Sequence, residues 1–167
     1  PGDDIGTISY RVLLADNSNN CTDPISNTIT VTVIGQPTVS VSTATPVICI
    51  NGVFLISSTV NNGSGLYMYQ WQTSDNETGP WTNITSNGEN PEYTDILSVT
   101  GVKYYRVIVT DLANGCGVMT SSVVSITVNP NPLVSVTPLD QIVCVGGIAT
   151  LTAQITNGSG DYSFQWE

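Results

Sequence analysis

The residues with the most chemistry available are four cysteines, Cys21, Cys49, Cys116 and Cys144, spaced 28, 67 and 28 residues apart. Metal sites of zinc type need close Cys or His pairs, and this chain has neither such a spacing nor any histidine. Regularly recurring cysteines in a Thr- and Asn-rich chain read instead as disulfides of an oxidising, extracellular setting. Nucleophilic catalysis has no base to work with: Ser and Thr are plentiful, but His is absent and Lys103 is the only lysine. No catalytic, cofactor-binding or metal residue is therefore assigned, no cofactor is expected, and the chain is read as a non-enzyme. Two oxygen-rich stretches, Asp3-Asp4 and Asp16 to Asn20, raise the question of calcium. Neither has the alternating ligands and closing Glu of an EF-hand loop, and a solvated loop or an Asx turn is the preferred reading of Asp16 and of its counterpart Asp111. An isopeptide link from Lys103 is disfavoured, because Ile8 stands at the corresponding place in the other copy.

That correspondence is the organising feature of the chain. Asn62-Gly-Ser-Gly-Leu-Tyr-Met-Tyr-Gln-Trp71 returns as Asn157-Gly-Ser-Gly-Asp-Tyr-Ser-Phe-Gln-Trp166. Sliding residues 1–72 onto 96–167 without a gap gives 23 identities in 72 positions, several times the chance level. Tyr10-Arg11-Val12 falls on Tyr105-Arg106-Val107, Cys21 on Cys116 and Cys49 on Cys144. A fixed period marks modular architecture, and 95 residues is the size of a domain. The division expected is a C-terminal part of one repeat at 1–34, a whole repeat at 35–129 and an N-terminal part of a third at 130–167. On this reading the chain is a window on a longer tandem protein.

Composition narrows the partners. Only 10% of residues are charged, with 3 basic against 13 acidic side chains and a formal net charge of −10. Such a chain has no basic footprint for phosphate backbones or anionic lipid, so neither nucleic acid nor direct membrane contact is expected.

Short alternating segments recur between Gly, Asn and Pro punctuation, the pattern of an all-β, immunoglobulin-like sandwich. In the whole repeat, strands A to G are expected at 38–43, 53–60, 66–73, 80–85, 92–97, 102–110 and 119–128. The repeat also selects the inward faces, because only one alternate set stays apolar in both copies. That set is Phe54, Ile56, Ser58 and Val60 on B, Tyr67, Tyr69 and Trp71 on C, Tyr105, Val107 and Val109 on F, and Val124, Ile126 and Val128 on G. Trp71 and Trp166 are assigned to the core, as are Tyr10 and Tyr105, which are placed to form a tyrosine corner with the E–F turn. Trp81 is expected to cap the open C–D edge, with carbohydrate stacking as its other use.

Six ordered motifs carry a family resemblance: Cys49–Gly52, Tyr67–Asp75, Gly79–Ile84, Tyr104–Asp111, Asn114–Cys116 and Val123–Pro130. Together they resemble the Ig-like and PKD-like tandem repeats of very long Bacteroidetes surface proteins, among them gliding-motility adhesins exported by type 9 secretion. The resemblance implies a rod or filament segment of a bacterial cell-surface adhesin. Its expected partners are neighbouring repeats of the same chain, with self-association or a surface polysaccharide as further candidates. The rival reading is a spacer or carbohydrate-binding module of a secreted polysaccharide-degrading enzyme. Asn129-Pro130-Asn131-Pro132 and Gly35-Gln36-Pro37 are short, stiff junctions, which favours the rod.

Strand geometry bears on the cysteines. Cys49 lies at the foot of strand B and Cys116 beyond the head of strand F, and B and F run parallel in such a sandwich. At ~3.3 Å per residue the two stand roughly 30 Å apart, whereas a disulfide needs Cα atoms about 4.4–6.8 Å apart. A bridge from the A–B cysteine of one repeat to the F–G cysteine of the next is therefore favoured, with the Cys49–Cys116 pair as the alternative.

Overall fold

The structure is a computed structural model that describes residues 5–15, 24–113 and 116–167. It is all-β. Two facing sheets are built from residues 38–129. One holds β3 (Thr38–Thr43), β5 (Gly52–Asn61) and β8 (Glu92–Leu97) in that order. The other runs β4 (Val47–Cys49), β11 (Val124–Asn129), β9 (Gly101–Asp111), β6 (Tyr67–Ser74) and β7 (Thr82–Asn83), with β10 (Val118–Thr120) also paired to β9.

Alternation fixes what lies between the sheets. Phe54, Ile56, Trp71, Tyr93, Tyr105, Val107, Val109, Ile126 and Val128 are buried, and each faces inward because strand side chains repeat every second residue. Four of them form an aromatic cluster: Phe54 lies 5.1 Å from Tyr105, Tyr93 6.0 Å from Tyr105 and Trp71 6.4 Å from Tyr93, centroid to centroid. The indole N–H of Trp71 donates to the Asn90 carbonyl at 2.9 Å, so its one polar group is satisfied inside the sandwich. Tyr67 and Tyr69 share the inward face but are only half-buried, near its rim.

Three details differ from the sequence expectation. Strand A is divided: after Pro46 the chain crosses to the other sheet, where β4 pairs parallel to β11. Proline interrupts one ladder, and Thr127 N–H then bonds the Pro46 carbonyl at 2.8 Å to begin the next. Strand G is also divided, because Ser121 inserts its side chain into the ladder. Its Oγ accepts from Val107 N–H at 3.0 Å and donates to the Ser122 carbonyl at 2.7 Å. Finally, Tyr105 forms no tyrosine corner among the described residues; its phenol faces Thr73, its register partner on β6.

On either side lie two-stranded ladders, β1 (Gly6–Tyr10) with β2 (Ile29–Val33), and β12 (Leu133–Thr137) with β13 (Thr152–Thr156). Tyr10 is 51% and Trp166 55% exposed, and among the described residues no second sheet faces these ladders to cover them. Residues 162–167, the counterpart of the first part of β6, form no strand, and among the described residues β9, with which β6 pairs, has no equivalent beside them.

Candidate junction site

The turn between β5 and β6 is tightly constrained. Asn62 has φ 62°, Gly63 φ 78° and Gly65 φ 84°, left-handed conformations that Asn and Gly adopt at low cost. The Tyr67 hydroxyl returns to the Asn62 carbonyl at 2.5 Å and clamps the turn. Gly63 is required for a second reason: a Cβ there would collide with the Asp111 carboxylate, Pro37 and the Tyr67 hydroxyl. The turn at 157–160 repeats the backbone conformation and the tyrosine clamp. Asn157, Gly158 and Gly160 have φ 64°, 80° and 93°. The Tyr162 hydroxyl donates to the Asn157 carbonyl, and a Cβ on Gly158 would meet Tyr162 and Pro132.

Each turn grips the segment that enters its own repeat. Gly63 N–H donates to the Gly35 carbonyl at 3.1 Å, and Gly158 N–H donates to the Pro130 carbonyl at 3.0 Å. These are the same bond, 95 residues apart. At the second junction the preceding repeat adds another, from Asn129 Nδ2 to the Gly158 carbonyl at 3.0 Å. Pro37 and Pro132 pack against the two glycines in equivalent positions.

Asp111, at the end of β9, anchors the first turn. It is buried, and its two oxygens accept from Ser64 N–H at 2.8 Å, Ser64 Oγ at 2.5 Å and Ala113 N–H at 2.8 Å. The last of these closes an Asx turn. Burial alone raises its pKa, but the bonds from the Ser64 hydroxyl, the Ala113 and Ser64 amides and the Cys116 thiol outweigh it and hold the carboxyl below its usual range. This carboxylate is engaged by N–H, O–H and S–H donors, the pattern of a structural clasp. Asp16, its counterpart, and Asp3-Asp4 lie outside the described residues. Among the described residues no group of three or more His, Cys, Asp or Glu side chains converges on a metal-sized site.

The cysteines occupy opposite ends of the larger sheet. Cys49 is the register partner of Asn129, at the Gly101 end of β9. Cys116 lies past the Asp111 end, its thiol facing that carboxylate. Cys49, Cys116 and Cys144 are free thiols, so the alternative Cys49–Cys116 pair is not formed; the favoured bridges would join Cys49 and Cys144 to cysteines after residue 167 and Cys116 to one before residue 1, and Cys21 lies outside the described residues. Burial, and then the Asp111 charge and hydrogen bond, push the Cys116 thiol up.

Trp81 does not close the sheet edge by packing alone. The Arg106 guanidinium lies 4.4 Å over its ring, while Arg106 Nε bonds Gln72 Oε1 at 2.7 Å and Gln72 Nε2 bonds Asn83 Oδ1 at 2.7 Å. A half-buried indole is thus held by a polar row on the outer face. Lys103 pairs with Asp75 at 2.5 Å on the surface.

Sequence reasoning saw the turn motif but not its grip on the entering segment, nor the Ser121 insertion. The signal was present. Ser26 and Ser121 are identical under the 95-residue shift, and Ser26 Oγ accepts from Val12 N–H at 2.8 Å as Ser121 does from Val107.

Residues 38–130, more than half of the chain, match the family model described as Domain of unknown function (DUF8696), and the chain belongs to that family. A comparison with curated proteins finds no match.

Proposed function

We propose that this chain is a structural rod segment of a large, secreted bacterial cell-surface adhesin. Its repeats at 1–34, 35–129 and 130–167 act as spacers that hold a binding tip away from the cell, in surface attachment or gliding motility. The observation that carries this reading is that each repeat holds its own entering segment by the same bond, Gly63 to Gly35 and Gly158 to Pro130, while Asn129 Nδ2 crosses the second boundary to the Gly158 carbonyl. A flexible linker has no reason to repeat a hydrogen bond at each boundary, whereas a spacer that must stay extended does. Entry and exit support it: β3 begins beside the end of β5, whereas β11 ends beside Gly101 at the opposite end of the sandwich. Successive repeats therefore add length. The partners of such a rod are its own neighbouring repeats, its place is the outer bacterial surface, and it carries out no catalysis.

Antibodies raised against residues 38–129 test this on intact cells of the source organism. Labelling of intact cells at a distance from the envelope is the expected result. Labelling only after permeabilisation contradicts it.

A second reading has an observation of its own. The Trp81 ring, held by Arg106 and bordered by Gln72 and Asn83, is a surface an apolar sugar face can stack on. It would make the repeat a carbohydrate-binding module of a secreted polysaccharide-degrading enzyme. Polysaccharide retention that disappears in Trp81→Ala supports it, and equal mobility of the two forms in affinity electrophoresis removes it.

A further inference from the structure

The two kinds of cysteine approach one structural unit from opposite sides. The Cys116 thiol faces Asp111, which holds Ser64 of the turn at 62–65. Cys49 is the register partner of Asn129, whose side chain holds Gly158 of the next turn, at 157–160. Ile50 N–H adds a bond to the Asn129 carbonyl at 3.0 Å, which fixes the foot of the A–B connection against the exit of β11. The turns are equivalent, so superposing them brings the F–G cysteine of one repeat and the A–B cysteine of the repeat before it onto the same turn. Within one repeat the two thiols are separated by the length of β9, 11 residues or ~33 Å, far beyond disulfide reach. The Cys144 turn reproduces the Cys49 turn: Gly147 N–H bonds the Cys144 carbonyl at 2.8 Å, and a Cβ on Gly52 or Gly147 would press on the Cys49 or Cys144 carbonyl respectively.

We propose that each junction is a disulfide site, in which the A–B cysteine of one repeat bonds the F–G cysteine of the following repeat and staples the rod. This deepens the rod reading and rests on it. The oxidant is a disulfide, either an extracytoplasmic thiol–disulfide oxidoreductase or oxidised glutathione. One cysteine thiolate attacks a sulfur of that disulfide and expels one of its thiolates. The second cysteine, as thiolate, attacks the mixed disulfide and expels the other. The two protons lost by the cysteine thiols are taken up by the expelled thiolates, so the oxidant leaves as a dithiol or, for glutathione, as two thiols.

The test is an extended chain in which residue 167 is followed by a second copy of 73–129. Glu167 corresponds to Gln72, so the extension continues the repeat in register and supplies a second Cys116. Cys21 and the first Cys116 are changed to Ser to prevent scrambling. After incubation with oxidised glutathione, peptide mapping without reductant is expected to join Cys49 to the second Cys116 and leave Cys144 open to alkylation. A Cys144 to second-Cys116 pair, or three alkylatable thiols in a folded chain, overturns the proposal. The same mapping on protein isolated from the source organism needs no refolding. There Cys49 is expected in a bridge to a peptide outside 1–167, and a Cys49–Cys116 pair or a free Cys49 overturns it. Small-angle scattering of the extended chain separates the two ideas: an elongated particle with free thiols removes the staple alone, and a compact one removes the rod.

Discussion

The middle repeat and the third copy carry the same ten-residue stretch, and the molecule treats its two halves differently. Asn62 to Tyr67 and Asn157 to Tyr162 fold alike, with matching φ values, the same tyrosine clamp and the same bond to the entering segment. Four residues further on, Trp71 is fully buried and Trp166 is 55% exposed. The turn is specified locally by two glycines, an asparagine and a tyrosine. The core position is specified only by what faces it, and the aromatic cluster around Trp71 comes from β5, β8 and β9. Tyr105 and Tyr10 tell the same story on β9 and β1. In a tandem array the turn is a property of the motif, and the core is a property of the complete repeat.

The comparison breaks most visibly at the tryptophans. Trp71→Ala is expected to lower the stability of the middle sandwich by about 3–5 kcal/mol, the cost of emptying a buried aromatic site, whereas Trp166→Ala leaves its melting unchanged. Chemical denaturation of the two variants checks this, and equal losses would show that the copies share one core.

Glycine substitution sharpens the other half. Gly63→Ala and Gly158→Ala each force a Cβ into a positive-φ position against packed neighbours, at a cost of about 1–3 kcal/mol. Both variants are expected to lose protection at the junction amide they donate, Gly63 to Gly35 or Gly158 to Pro130. Amide exchange at Gly63 and Gly158 reads this directly, and unchanged exchange contradicts the clasp.

The pH limits of the middle sandwich follow from its titrating groups. Asp111 has its carboxyl lowered by its donors, so its contribution is fully present above the unfolded value of about 4 and is lost as pH falls through the lower native value. Tyr105 is pushed up to about 12, first by burial, and Tyr93 is raised by burial and by Asp95. Their contribution is fully present below about pH 10 and is lost as pH rises through the native values. Melting temperature against pH is expected to fall at both ends, and Asp111→Asn should flatten the acid limb only.

The smallest effect is expected at Trp81. Its cation–π contact with Arg106 is on the outer face, so Trp81→Ala should cost roughly 0.5–1 kcal/mol. A loss as large as that of Trp71→Ala would place Trp81 among the core residues.

Much of this was legible in the sequence because a repeat supplies its own second example. Positions apolar in both copies, such as Ile56 and Val107, identify the inward faces, and the strands at 38–43 and 92–97 follow from alternation. Three things were not legible. The crossing of strand A at Pro46 depends on β11 being free to accept a parallel partner, which is tertiary information. The Ser121 insertion substitutes a side chain for a backbone donor and acceptor, which alternation does not encode. Burial of Tyr10 and Trp166 depends on strands that do not face them here, and a motif cannot report on its own partners. The junction lies between these extremes: Gly63, Ser64 and Pro37 all recur, but their convergence on one turn belongs to the fold.

The central claim is that these repeats add end to end through fixed junctions, and its most direct measurement is the maximum dimension of the chain in solution. Small-angle scattering should compare residues 1–167 with the in-register extension by 73–129. One more complete repeat is expected to lengthen the particle by roughly 35 Å, the length of an 11-residue strand such as β9 and little more, while its cross-section stays constant. An increase in cross-section without that gain in length would mean that the repeats fold back on one another, and would contradict the rod.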